Sequence, residues 1–162
     1  MRIFCTVLAL AFVSGCTLES GTRSFDSGVC FVPTSVAVNR LSEITMIDDY
    51  NGIAKIKLFV DLTDKFGDNM KSPGSIRFEL YEYKNLSANN TGSRIYSWPV
   101  LDISDPMVNH GYWQDSLRSY MFELDVEHKL DKGSKYVVSV TFISNNGQLR
   151  FSNTKTIEYY GK

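Results

Sequence analysis

The chain is short of several residue types and segments, and each shortage excludes a class of protein. Its 162 residues include three cysteines, four prolines and two histidines, and its formal net charge is −1. A nearly balanced charge provides no basic field, so we expect no nucleic-acid partner. No apolar run approaches the roughly 20 residues that a membrane-spanning helix needs. Instead, 43% of the residues are hydrophobic and 13% are aromatic, which is enough for one well-packed core.

The first sixteen residues have the order of a secretory leader. Arg2 supplies the positive start, the run from Ile3 to Val13 is apolar, and Ser14 and Gly15 are small residues suited to a cleavage site. Cys16 follows them directly. This arrangement resembles the lipobox of bacterial lipoproteins.

The lipobox implies both a processing step and a location. Residues 1–15 would be removed as a signal peptide, and Cys16 would carry lipid chains such as palmitate. Buried acyl chains contribute about 0.8 kcal/mol per methylene, so two or three of them hold a protein on a membrane. Thr17, in place of an aspartate, favours the outer membrane over the inner membrane of the cell envelope. The alternative is an ordinary signal peptide that happens to end near a cysteine.

Cleavage of the leader and lipid attachment would determine which cysteines remain as free thiols. Cys5 leaves with the leader and Cys16 is alkylated, so Cys30 has no partner for an intramolecular disulfide. Cys30 is then either a buried inert thiol or a reactive thiol open to intermolecular pairing. With one free thiol, His110 and His128, we expect no zinc site and no cofactor.

Composition divides the rest of the chain into a tether and one domain. Residues 16–32 are predicted to be a flexible tether, because the stretch from Thr17 to Gly28 is rich in small polar residues. A random coil of about 12 residues has an r.m.s. span of roughly 20 Å. Residues 33–162 are predicted to form a single all-β domain.

Alternation of apolar and polar residues predicts the strands of this domain. Ile56, Leu58, Val60 and Leu62 occupy every second position, which is typical of a strand with one buried face. The other predicted strands are Ser75 to Tyr83, Arg94 to Val100 at an edge, Tyr120 to Leu124, Tyr136 to Phe142, Gln148 to Tyr159 with an interruption near Asn153, and one within Ser35 to Ile47. About seven strands indicate an antiparallel β-sandwich.

The segment from Asp105 to Leu117 does not follow this pattern. Asp105 before Pro106 is typical of a helix start, whereas Gly111 weakens a helix. The segment is predicted to be one short helix or an ordered loop.

The stretch Leu130-Asp-Lys-Gly133-Ser-Lys-Tyr136-Val-Val138-Ser-Val140 resembles the penultimate-strand region of immunoglobulin-like and fibronectin type III sandwiches. Transthyretin-like sandwiches carry similar runs. The resemblance implies that the Tyr136 hydroxyl binds backbone upstream of its strand, as in a tyrosine corner. The Cys…Trp…Cys core of antibody domains is absent.

Three further segments, Asp61 to Gly67, Phe78 to Tyr83 and Tyr112 to Asp115, carry a second resemblance. They are similar to segments of bacterial lipoproteins of unknown function of the type found in planctomycete genomes. This resemblance implies a lipoprotein and transfers no active residues.

Three sets of residues are candidates for chemistry. Asp61, Asp64 and Asp68 surround one loop and are a weak calcium candidate, with solvated turn residues as the alternative. Asp102, Ser104, Asp105, His110 and Asp115 lie close in sequence but lack the Gly-x-Ser-x-Gly elbow of a hydrolase, so no catalytic residue is assigned. Exposed aromatics on a sheet can form a ligand platform, and the candidates are Tyr81, Tyr96 and Trp98. The alternative is that residues 105–117 fold over them as a small additional core.

These observations predict a lipid-anchored cell-envelope protein that acts as a non-catalytic binding or structural module. Two more specific functions stay open. One is a carbohydrate-binding module that uses the exposed aromatics. The other is an accessory subunit of an envelope or secretion complex, so the expected partners are the membrane through Cys16 and an envelope protein or polysaccharide.

Overall fold

The computed structural model describes residues 32–48 and 53–160, and the structural statements below refer to them. The predicted leader, the lipid site Cys16, the thiol Cys30 and residues 16–31 of the predicted tether lie outside the described residues.

The described chain is built from strands joined by turns and one short α-helix. Burial alternates along the first half of β4 and along part of β8, as the sequence pattern predicts, whereas β9 carries two runs of three buried residues. The elements are β1 (Ser35–Val38), β2 (Glu43–Asp48), β3 (Ile53–Thr63), β4 (Gly74–Tyr83), β5 (Thr91–Ser97), β6 (Leu101–Asp102), α1 (Pro106–Tyr112), β7 (Trp113–Gln114), β8 (Ser119–Val126), β9 (Lys135–Ser144) and β10 (Arg150–Glu158).

The strands form two antiparallel sheets of five strands each, packed as a sandwich. In the first sheet, β3 is central. β1 and β2 follow one another along one of its edges, β8 lies along the other, and β7 extends the sheet beside the start of β8. The second sheet has the order β10-β9-β4-β5, with β6 also paired to β4. The predicted antiparallel sandwich is confirmed.

The strand count exceeds the expected seven for local reasons. The region from Ser35 to Ile47 holds two strands, because Ser42 donates its backbone N–H to the Asn39 carbonyl and the chain turns between them. β6 and β7 are two residues long, too short to show any alternation.

The core lies between the sheets. β3 contributes Ile56, Leu58, Val60 and Leu62, all fully buried, and they face apolar side chains of the second sheet. The facing residues with little or no exposure are Ile76, Phe78, Leu80, Val138, Val140 and Phe142. Burial of a large apolar side chain contributes about 1.5–3 kcal/mol, so this interior provides most of the stability.

One side of the sandwich is closed by contact between β1 and β10. The Val38 backbone N–H donates to Asn153 Oδ1 at 3.1 Å, which connects the two sheets. The expected interruption of the last strand near Asn153 is therefore wrong: β10 pairs with β9 without a break, and the Asn153 side chain forms an inter-sheet bond.

On the other side, β8 and β7 face β5 and β6 with a gap between them. There the Trp98 indole N–H donates to the Asp125 carbonyl at 2.7 Å and spans the two sheets. The gap beside this bond is a cleft described below.

The sandwich has two ends, which we name after the buried tyrosine at each. At the Tyr136 end, the Tyr136 hydroxyl accepts the backbone N–H of Asp131 at 2.7 Å, as the sequence resemblance implied. β4 and β9 run in opposite directions, with Glu82 opposite Tyr136 and Gly74 opposite Ser144. Gly74 therefore lies at the other, Tyr120 end.

The helix α1 covers part of the Tyr120 end. Asp105 Oδ1 accepts the backbone N–H groups of Met107 at 2.9 Å and Val108 at 3.0 Å, and Pro106 occupies the first helical position. Such a cap contributes about 1 kcal/mol. Of the two predictions for this segment, the short helix is confirmed.

Candidate functional site

The predicted aromatic platform is divided by the sheet. Tyr96 pairs with Leu80, so it shares the inner face with the core, whereas Tyr81 pairs with Arg94 on the outer face. Because successive residues of a strand point to opposite faces, Tyr81 lies on the face opposite Leu80 and therefore opposite Tyr96. The rings of Tyr96 and Trp98 lie 5.0 Å apart in an edge-to-face arrangement. The structure therefore brings Tyr96 and Trp98 together and separates Tyr81 from them.

Tyr81 belongs to a charged cluster on the outer face of β4. Glu79 is buried to 8% exposure, and its carboxylate contacts Arg94 Nη1 at 2.9 Å and Arg77 Nε at 3.7 Å. Burial, followed by the neighbouring Glu79 carboxylate, raises the pKa of the Tyr81 phenol. The surroundings of Tyr81 are those of an ion-pair network.

Trp98 lines a cleft of about 270 Å³ on the open side of the sandwich. We call it the aromatic cleft. Its lining includes Phe78, Trp98, Leu101, Tyr112, Phe122 and Leu124. The Glu123 carboxylate, next to this lining in sequence, contacts Lys55 Nζ at 3.0 Å on the outer face of β8. Phe122 is the centre of the ring contacts, with centroids 5.0 Å from Phe78 and 4.8 Å from Tyr112.

Residues from the segment 105–117 complete this aromatic cluster. Tyr112 and Trp113, at the end of α1, are half-buried and pack against the main core. The Trp113 ring meets the buried Tyr120 ring edge-on at 5.1 Å. The segment therefore extends the main core, and Trp98 and Tyr112 are partly buried and line the cleft.

A second pocket, of about 470 Å³, lies at the Tyr120 end beside α1. We call it the α1 pocket, lined by Lys71, Ser104, Pro106, Asn109, His110 and Asn145. Lys71 Nζ donates to His110 Nδ1 at 2.9 Å and lies 5.2 Å from the centre of the Trp113 ring. Because lysine can only donate, His110 Nδ1 is the acceptor nitrogen of the imidazole.

A buried polar network forms the floor of the α1 pocket. The Asn109 amide donates to the carbonyls of Ser72 and Ile103, each at 2.9 Å. The Tyr120 hydroxyl donates to Asn109 Oδ1 at 2.9 Å and accepts the Ser72 backbone N–H at 2.9 Å. Burial raises the pKa of the Tyr120 phenol. The sequence patterns did not predict this network. The one sequence feature that pointed to it was Asn109 within a short helix, where asparagine is unfavourable.

The candidate catalytic residues are engaged in other bonds. Ser104 Oγ donates to Asn145 Oδ1 at 2.6 Å, and Asp102 accepts the Ser104 backbone N–H at 2.9 Å. Hydrogen bonds from Ser104 lower the pKa of Asp102. Asp105 caps α1. Ser104 and His110 thus line one pocket, but Ser104 donates to an amide and His110 accepts from a lysine, which is not a nucleophile–base pair.

Two aspartates of the calcium candidate, Asp64 in the β3–β4 loop and Asp61 within β3, accept hydrogen bonds from neighbouring groups. Asp64 is buried, and its Oδ1 accepts the backbone N–H groups of Phe66 at 2.8 Å and Asp68 at 3.0 Å. Asp61 Oδ2 accepts the Asn39 amide at 2.9 Å. In the part of the chain that the structure describes, no three His, Cys, Asp or Glu side chains are placed to hold a metal ion.

The fold places this protein in the class of two-sheet antiparallel β-sandwiches. Comparisons with known proteins do not narrow that class. No family model and no curated protein matches the chain. A solved structure of a family 76 glycoside hydrolase from a bovine Bacteroides thetaiotaomicron strain is similar to 76% of this chain, with a TM-score of 0.40 and 14% identity. The match spans 20% of that enzyme's chain and carries no argument about function. No helix within residues 32–48 and 53–160 is long and apolar enough to cross a bilayer.

Proposed function

We propose that this protein is a lipid-anchored, non-catalytic binding module of the bacterial cell envelope. The observation that carries the proposal is the sequence Val13-Ser14-Gly15-Cys16 directly after an apolar run of signal-peptide length. The β-sandwich that follows is a rigid carrier, and the clefts on its surface are the candidate binding sites.

The hydrogen bonding of the α1 pocket supports a binding role over a hydrolytic one. General-base catalysis needs a base within hydrogen-bond reach of the proton that it removes. Ser104 Oγ points its proton at Asn145, and the acceptor nitrogen of His110 is occupied by Lys71. These side chains are arranged to hold the pocket walls.

The lipid anchor is tested by labelling the protein in cells with a clickable palmitate analogue. We expect label on the native chain and on Cys30→Ser, which keeps Cys16 and serves as the matched cysteine control. Cys16→Ser should lose the label and move the domain from the membrane fraction to the soluble fraction. Label that persists on Cys16→Ser would refute the anchor.

A second, more specific candidate is carbohydrate binding in the aromatic cleft. It is favoured by the position of Trp98 and Tyr112, which line one cleft. Aromatic faces stack on the apolar faces of sugar rings. The cleft, and not the divided platform of the sequence prediction, is the surface that brings aromatic side chains together.

The carbohydrate candidate is tested by retention on gels that contain cell-wall polysaccharides. Tyr112→Ala should remove retention if the cleft binds sugar. Tyr81→Ala, on the opposite face of the sheet, is the matched control and should be retained like the native chain. Circular dichroism melting checks that both variants are folded. Loss of retention in Tyr81→Ala with Tyr112→Ala unchanged would assign binding to the outer face and reject the cleft.

A further inference from the structure

Exposed apolar side chains are unevenly distributed between the two ends of the sandwich. Among the described residues, eight large hydrophobic side chains are exposed. Four of them lie at the Tyr120 end: Phe66 at 71%, Met107 at 84%, Val108 at 42% and Leu117 at 41% exposure. The Tyr136 end has Leu86 and Tyr160, and the remaining two lie on the sides. Clustered exposed apolar residues mark a surface that meets a partner or a lipid surface.

Three segments carry these four side chains, and hydrogen bonds hold the segments together. Phe66 lies in the β3–β4 loop, Met107 and Val108 on α1, and Leu117 in the β7–β8 turn. The loop is bonded to the turn by Arg118 Nη2, which donates to the Asn69 carbonyl at 2.9 Å. It is bonded to α1 by Asn109 Nδ2, which donates to the Ser72 carbonyl at 2.9 Å. The three segments that carry the apolar side chains are therefore fastened to one another at this end.

The most exposed residue of α1 points away from the protein. Asn109 is buried beneath the helix, and residues two positions apart on an α-helix lie about 200° apart around its axis. Met107 is therefore directed opposite to Asn109, which agrees with its exposure of 84%. Within the described chain, no element covers this side of α1.

The described chain enters the sandwich at the same end. The Thr34 backbone N–H donates to the Thr63 carbonyl at 2.7 Å, and Ser35 pairs with Thr63, the last residue of β3. Phe66 follows Thr63 by three residues. Seventeen residues, 17–33, connect Cys16 to this entry point and can reach at most about 60 Å when fully extended. An eleven-residue strand such as β3 is about 35 Å long, so the Tyr136 end lies about 35 Å further from the entry point.

The charges of the Tyr120 end indicate the kind of contact. In its three segments, residues 64–73, 102–118 and 145–150, four exposed basic side chains balance four exposed acidic ones: Lys65, Lys71, Arg118 and Arg150 against Asp68, Asp102, Asp105 and Asp115. Such a surface has no strong attraction for anionic lipid headgroups. Lys65 lies 5.0 Å from the Phe66 ring, an arrangement in which the ammonium can stay in water while the aromatic ring enters an apolar layer.

We propose that the Tyr120 end rests on the lipid surface, with Phe66, Met107, Val108 and Leu117 inserted at the level of the headgroups and upper acyl chains. The inference builds on the proposed anchor at Cys16 and specifies how the anchored domain is oriented. The Tyr136 end then faces away from the membrane. The aromatic cleft, on the side of the sandwich, stays accessible to ligands.

The orientation is tested with single-cysteine probes in the full, membrane-processed chain. Cys30→Ser removes the free thiol, and the lipid on Cys16 blocks that residue. Met107→Cys or Leu86→Cys then receives a fluorescent label. Both sites are among the most exposed of the described chain, so neither substitution disturbs the core. The protein is reconstituted in phosphatidylcholine vesicles that contain a lipid spin-labelled high on its acyl chain.

We expect the spin label to quench the probe at Met107→Cys several-fold more than the probe at Leu86→Cys. The same ratio should hold when a quarter of the lipid is replaced by phosphatidylglycerol, because the contact is apolar. Equal quenching at the two sites, or stronger quenching at Leu86→Cys, overturns the orientation. In a parallel sample Met107→Cys carries a thiol-linked photo-crosslinker: coupling to another protein in native membranes, without quenching of the fluorescent probe in vesicles, overturns the orientation as well and makes this end a protein interface.

Palmitate labelling of the same samples separates this inference from the proposed function. Labelled protein with equal quenching at both ends overturns the orientation and leaves the anchor in place. Protein without palmitate overturns both, because nothing then holds the Tyr120 end at a membrane.

Discussion

At the Tyr136 end of the sandwich, one tyrosine hydroxyl holds one backbone N–H group, that of Asp131. At the Tyr120 end, the tyrosine hydroxyl belongs to a buried network with Asn109 and Ser72 that fastens a helix and a loop to the core. The first arrangement is local, since its partners are five residues apart. The second spans 48 residues of sequence between Ser72 and Tyr120.

The difference in hydrogen bonding corresponds to a difference in the structural features that each end of the sandwich supports. At the Tyr136 end, the bond of the Tyr136 hydroxyl holds the connection between β8 and β9, and backbone bonds of Gly133 and Ser134 with Tyr159 fasten that connection to the end of β10. The Tyr120 end supports several surface features: the α1 pocket, the exposed apolar side chains and the entry of the chain from the predicted anchor. A fully bonded buried network rigidifies such an end, and it is costly to leave incomplete.

The largest effect is expected for Asn109→Ala. This change leaves the Tyr120 hydroxyl and the carbonyls of Ser72 and Ile103 without their partner in a buried site. An unsatisfied buried polar group costs about 1–3 kcal/mol, so we expect a loss of at least about 2 kcal/mol. Urea unfolding followed by circular dichroism measures it. A loss below about 0.5 kcal/mol would mean that the network does not fasten the Tyr120 end.

A direct comparison of the two ends comes from removing each hydroxyl. Tyr120→Phe should cost about 1–3 kcal/mol, because it leaves both Asn109 Oδ1 and the Ser72 N–H unpaired in a fully buried site. Tyr136→Phe should cost about 0.5–1.5 kcal/mol, because one N–H in a partly exposed loop loses its acceptor and gains water. The same urea experiment serves both variants. A larger loss for Tyr136→Phe would reverse the comparison.

A smaller effect is expected from the helix cap at the Tyr120 end. Asp105→Ala removes the acceptor for two N–H groups of α1 and should cost about 1 kcal/mol. Asp105→Asn keeps an acceptor oxygen and is the matched control, with an expected loss well below that of Asp105→Ala. Thermal melting compares them, and equal melting temperatures for all three chains would exclude a stabilising cap.

The smallest expected effect is on how steeply the free energy of unfolding declines at alkaline pH. Burial raises the pKa of both Tyr120 and Tyr136 above that of an unfolded tyrosine, near 10. Each phenol therefore contributes stability that is fully present below about pH 10 and is lost as the pH rises through its folded pKa. Free energies of unfolding at pH 8 and pH 11 should show a shallower decline for Tyr120→Phe than for the native chain. An unchanged decline would contradict a buried neutral phenol.

Sequence analysis predicted the parts of the fold that depend on local patterns. The alternation from Ile56 to Leu62 fixed a strand and its buried face, and Asp105-Pro106 fixed the start of α1. The Tyr136 hydrogen bond was predictable because its partners lie within one short loop. These features need only neighbouring residues to be specified.

The parts that were missed depend on pairings that one sequence does not show. Tyr96 pairs with Leu80 and so lies on the inner face, opposite Tyr81, and one sequence does not show which residue of β5 lies beside Leu80. Asn153 looked like a strand breaker because asparagine is unfavourable in strands, yet its amide oxygen accepts the Val38 N–H of the other sheet. The Tyr120 network joins residues 11 and 48 positions apart.

The most direct test of the account is the intact mass of the protein extracted from membranes. A lipid-anchored module predicts a chain that begins at Cys16, without residues 1–15, and carries the added mass of a diacylglyceryl group and an acyl chain on that residue. A chain with an unmodified Cys16, whether or not the leader has been removed, would contradict it.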